Sequence, residues 1–106
     1  MHELETRHYV AGEFVAGDAT PLVVVNPATD APLATIVGAS AALATRAAEA
    51  NAAATREMRV LSTLKRVELV RRLAAGIRSN GVQLAALLTS ESGKPIVESR
   101  GEVEYA

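Results

Sequence analysis

The apolar period of this 106-residue chain changes once, near Ser40, and that change decides what it can fold into. Before Ser40, apolar residues come in short clusters separated by turn formers; after it, they recur every three or four positions. The first pattern builds strands and the second builds amphipathic helices. Residues 7–37 therefore read as strands and turns, and residues 40–106 as helices. In "RHYVAGEFVAG", Tyr9, Val10, Phe14 and Val15 lie on either side of Gly12-Glu13, which predicts a short hairpin. "PLVVVNPATD" predicts a strand at Val23–Val25 followed by a turn. Asn26-Pro27 starts that turn, because the residue before proline is pushed out of the helical region. "APLATIVG" predicts another strand, bounded by Pro32 and Gly38.

Ser40 is a good N-cap residue for a helix reaching about Met58. Its stripe of Leu43, Ala47, Ala50, Ala54 and Met58 is mostly alanine, which suits close packing on another element. A second helix is expected from a Ser62 or Thr63 cap to about Ser79. Leu64, Val67, Val70, Leu73, Ala74 and Ile77 form its apolar face, with Arg66, Glu68, Arg71, Arg72 and Arg78 elsewhere. Glu68 precedes Arg71 and Arg72 by three and four residues, which predicts surface pairing worth about 0.2–0.5 kcal/mol per pair.

Asn80-Gly81 is expected to end this helix in a left-handed turn. Gly76 costs about 1 kcal/mol relative to alanine inside a helix, which points to close packing there. Val82–Ser92 predicts a third helix closed by Gly93. Pro95 then takes a first-turn position of a last helix running from Ile96. No stop signal follows that helix before Ala106, so the chain is expected to be the front section of something longer.

The side chains available for a core are small. Hydrophobic residues make up 49% of the chain, but many are alanine, and there are only two Tyr, one Phe and no Trp. The large rings that anchor small cores are nearly missing, so the apolar faces are expected to meet partners outside this sequence. A net charge of −1 excludes broad electrostatic attraction to nucleic acid or anionic lipid. With no cysteine, disulfides, thiolate metal sites and a cysteine nucleophile within this chain are excluded. "MHELETRHYV" lacks the apolar segment of a signal peptide, and no apolar run approaches the ~20 residues of a membrane helix. The expected location is cytoplasmic.

The motifs that tempt a chemical reading have simpler accounts. "HELET" begins like a zinc-binding His-Glu-x-x-His pair, but Thr6 stands where the second histidine is needed. His2 and His8, six apart, are expected to be ordinary surface residues. "SGKP" has Leu88 and Pro95 where a phosphate loop needs glycine and Ser or Thr, so it reads as a helix-ending glycine, a solvated Lys94 and a helix-starting proline. Gly12, Gly17 and Gly38 are too scattered for a dinucleotide fingerprint. Glu98 and Glu102 sit four apart near Lys94 and Arg100, which reads as a solvated face. On this reading no residue is assigned a catalytic, cofactor-binding or metal-ligating role.

Taken in order, several stretches resemble the beginning of the NAD(P)-dependent aldehyde dehydrogenase superfamily. "YVAGEFV" resembles its opening hairpin, and "VVNPATDAPLATI" is similar to its Asn-Pro-Ala-Thr strand-turn-strand signature. "STLKRVELVRRLAAGI" resembles a helix carrying arginine at the position of Arg66. "ESGKPIVESRGEVEYA" looks like the Glu-x-Gly-Lys-Pro segment and the helix beyond it, as in the succinate-semialdehyde and lactaldehyde dehydrogenase branches. Two departures are "TREMRVL", where the family often has a large aromatic, and Gly76.

The resemblance implies an α/β fold in which residues 1–106 form the incomplete N-terminal part of a Rossmann-like cofactor-binding domain. It also implies a parent enzyme in which a cysteine thiolate attacks the aldehyde and an oxyanion hole steadies the adduct. Hydride then passes to NAD or NADP, and a glutamate-activated water hydrolyses the thioester. In the family all of these groups lie downstream, so this chain alone is expected to be inactive and to bind no cofactor. Some relatives hold a monovalent cation through backbone carbonyls near the Val24-Val25 strand and the last helix, which leaves no residue signature. The implied partners are the rest of the dehydrogenase chain and, for the parent, further copies of itself, with no nucleic acid and no membrane. The alternative is a small stand-alone helical interaction module that docks a protein through the alanine-rich helix and the Leu64–Ile77 face.

Overall fold

The computed structural model describes residues 4–106; His2 lies outside the described residues. Strands β1 (His8–Val10) and β2 (Glu13–Val15) pair antiparallel, with Tyr9 opposite Phe14 and Val10 opposite Glu13. The turn is Ala11-Gly12, one residue earlier than Gly12-Glu13, and Glu13 belongs to the ladder. Both turn residues have positive φ, 54° and 87°, the two-residue geometry whose twist matches that of paired strands. Tyr9 and Phe14 meet edge to face at 5.2 Å between centroids, and the Arg7 guanidinium lies 5.1 Å from the Phe14 ring centre.

Strands β3 (Pro21–Val25) and β4 (Pro32–Val37) form a second two-stranded sheet. Asn26 organises the turn between them. Its side-chain Oδ1 accepts the Ala28 N–H at 2.9 Å, and its carbonyl accepts from Thr29 and Asp30 at 3.2 and 2.8 Å. This is the local bonding that makes asparagine a turn initiator.

Four helices follow: α1 (Ala41–Val60), α2 (Thr63–Ser79), α3 (Gly81–Ser92) and α4 (Ile96–Tyr105). Ser40 caps α1 through its hydroxyl, which accepts the Leu43 N–H at 3.2 Å. Ser62 caps α2 in the same way, accepting from Lys65 at 3.3 Å.

The passage from α2 to α3 differs from the expected left-handed stop. Asn80 has φ −106° and ψ 10°, and Gly81 is already the first residue of α3. Asn80 serves both helices. Its backbone N–H and side-chain amide both donate to the Gly76 carbonyl, while its own carbonyl accepts the Leu84 N–H that starts α3. With those end groups satisfied, no left-handed residue is needed to close α2.

Pro95 is also displaced by one position, standing as the N-cap of α4 with its carbonyl accepting from Glu98 and Ser99. Gly76 faces open space: a Cβ built there would meet nothing within 4 Å, so close packing does not explain it. Nor does Glu68 pair with Arg71 or Arg72. The ion pairs among the described residues are Arg7–Glu5 and Lys94–Glu102.

Packing divides the chain differently from the change at Ser40. One unit joins the chain through Val24 to Ala34–Val60, so α1 belongs with the strands. In it β1 packs on α1, with Val10 and Leu43 buried. The backbone of Gly17 runs so close to the Val37 carbonyl that any Cβ would collide with it. The other unit joins Val25–Leu33, the tip of the second hairpin, to Leu61–Ala106. Here α3 and α4 make the most extensive contact, around Ala85 and Ser99, both 0% exposed. Among the described residues these four, Val10, Leu43, Ala85 and Ser99, are the buried ones.

Candidate functional site

The side chains able to do chemistry are scattered, and each is occupied locally or exposed. His8 is half-buried on β1, and its Nε2 lies 2.9 Å from the Val37 carbonyl. It ties the first hairpin to β4 and is not the ordinary surface residue the sequence suggested. Lys94 reaches Glu102 Oε1 at 2.6 Å, so it is paired rather than simply solvated, and Glu98 stands exposed without joining them. Among the described residues, no three His, Asp or Glu side chains come together in a way that could hold a metal.

Two carboxylates are held below their ordinary range, and both are exposed. Glu5 falls to about 2, chiefly because the Arg7 guanidinium hydrogen-bonds it at 2.7 and 2.8 Å. Asp18 is lowered by the Ser40 backbone N–H and then by the Ser40 hydroxyl, both at 2.7 Å. Each is a charge-assisted bond to the ionised form. Neither lies in a cleft, so neither has the surroundings of a catalytic acid or base.

Concave surface is shallow. A groove of about 510 Å³ runs between the first hairpin and α1, lined by Ala47, Ala50, Ala53 and Ala54 together with Tyr9, Asn51 and Glu57. A smaller one, about 310 Å³, lies among Arg78, Val82, Arg100 and Val103. Neither brings a nucleophile next to a base. Apolar side chains stand uncovered in each unit taken by itself: Leu22 and Val23 on β3 in one, and Leu64, Val70 and Leu73 on α2 with Val97 on α4 in the other. Patches of this kind mark places where a protein meets something else.

One contact joins two of the sequence signatures. Gly93, at φ 72°, ends α3 in the left-handed conformation, and its N–H donates to the Thr89 carbonyl at 2.9 Å. A Cβ on Gly93 would stand 2.9 Å from the Pro27 ring. The Asn-Pro-Ala-Thr turn therefore rests against the Gly-Lys-Pro corner, and both segments serve packing.

These segments recur together in other proteins. The aldehyde dehydrogenase family model matches residues 14–106. The chain belongs to the aldehyde dehydrogenase family. It is 37% identical over 100 residues to a lactaldehyde dehydrogenase of Escherichia coli, covering 92% of this chain and 20% of that one. Among solved structures, a succinate-semialdehyde dehydrogenase from Burkholderia pseudomallei superposes with a TM-score of 0.87 at 34% identity, covering 99% of this chain and 23% of that one. A benzaldehyde dehydrogenase from Corynebacterium glutamicum, 24% identical, shares the fold with a TM-score of 0.90 over 96% of this chain and 22% of that one. The chain spans about a fifth of the length of the curated relatives it matches.

This aldehyde dehydrogenase chain carries its short strands before its helices. Its strands form two separate pairs, and no parallel strand–glycine turn–helix unit occurs among the described residues. The two glycines with positive φ, Gly12 and Gly93, close a hairpin and a helix.

Sequence reasoning missed the Asp18–Ser40 bond and the Ser99–Thr89 hydroxyl pair at 2.8 Å. The first had a partial signal, because Ser40 was legible as a cap. The second had none, since serine inside an apolar-periodic helix looks like a surface residue.

Proposed function

We propose that this chain is the N-terminal segment of an NAD(P)-dependent aldehyde dehydrogenase and acts there as scaffold. The parent oxidises an aldehyde to a carboxylic acid through a cysteine thioester, in the cytoplasm, as a homo-oligomer. Residues 1–106 contribute part of the cofactor-binding domain, and its chemistry and its NAD(P) contacts belong to downstream residues. The observation that carries the reading is the match over residues 14–106 to relatives about five times longer. The absence of cysteine supports it, because the thiolate such a reaction needs has no source here. The exposed apolar faces of α2 and β3 support it too, since the remainder of the enzyme is the cover they lack. By itself the segment is inactive.

A split-enzyme experiment tests this. The chain is combined with the E. coli lactaldehyde dehydrogenase lacking its own matching segment, and NAD(P)H formation from lactaldehyde is followed alongside complex formation. Neither piece alone is expected to turn over, and the mixture is expected to associate and recover activity. Aldehyde oxidation by the purified chain alone would overturn the scaffold role. A chain that stays monomeric, melts sharply and ignores the remainder would favour the stand-alone interaction module.

A further inference from the structure

No further inference is drawn: the strongest candidate, the alanine-walled groove between the β1–β2 hairpin and α1, is an unpartnered apolar face, and nothing in the structure shows what covers it.

Discussion

Helices α3 and α4 meet through small side chains that leave the solvent, whereas α2 carries large apolar ones that stay in it. Ala85 and Ser99 are fully buried where α3 meets α4, and the Ser99 hydroxyl finds Thr89 across the seam. Small residues let two backbones approach closely, and the hydroxyl pair satisfies the one polar group that the approach buries. Helix α2 has no buried residue at all, and Leu64 and Leu73 remain 68% and 65% exposed. Apolar area counts towards stability only when it leaves water, at about 25 cal/mol per Å². The comparison teaches that the α3–α4 seam is closed around Ala85 and Ser99, while α2 closes no such seam and leans on its Ser62 cap.

The contrast breaks most easily at the corner between α3 and α4. Gly93→Val is expected to cost about 3 kcal/mol, from a β-branched residue in the left-handed region together with its collision with Pro27. Urea unfolding followed by helical circular dichroism reads this, and a loss below about 1 kcal/mol would mean that the Pro27 ring simply moves aside. Ala85→Leu comes next, at about 2 kcal/mol, because a fully closed contact has no room for three more carbons. Amide exchange should quicken in α3 and α4 together. Protection lost from α3 alone would show that the two helices are not held as a pair.

On the α2 side the effects shrink. Ser62→Ala is expected to cost about 1 kcal/mol, since the Ser62 hydroxyl satisfies the Lys65 N–H and little burial holds the helix otherwise. Fraying of the first turn of α2, seen in backbone chemical shifts, is the signature. Leu73→Ser should change the stability of this chain by less than about 0.5 kcal/mol, as for other surface substitutions. In the proposed full-length enzyme the same change is expected to cost about 1.5–3 kcal/mol, the scale of a fully buried leucine. Equal losses in the two settings would remove the idea that α2 is covered there.

Local signals were readable to within a residue or two. The change of pattern near Ser40 separated strands from helices, Ser40 and Ser62 were recognisable as caps, and Gly93 as a helix end. The errors fell where a choice depended on contacts. Asn80-Gly81 looked like a left-handed stop, yet Asn80 bonds forward and backward and the next helix starts at once. Gly76 looked like a close approach and has nothing near it. His8 looked like a free surface residue, and its partner is the Val37 carbonyl, twenty-nine residues along the chain. For the functional reading, the segment order was legible and pointed to the family. No arrangement of side chains suited to chemistry was legible.

The order and type of the elements were determined by the sequence itself, because capping, turn chemistry and periodicity act between residues a few positions apart. So was the exclusion of a cysteine nucleophile from this chain. Only the tertiary structure decided that Ala85 and Ser99 vanish from solvent while Leu64 and Leu73 do not, and that Gly93 must stay bare beside Pro27. Burial depends on which surfaces meet, and the distance between Pro27 and Gly93 along the chain hides that meeting from any local pattern.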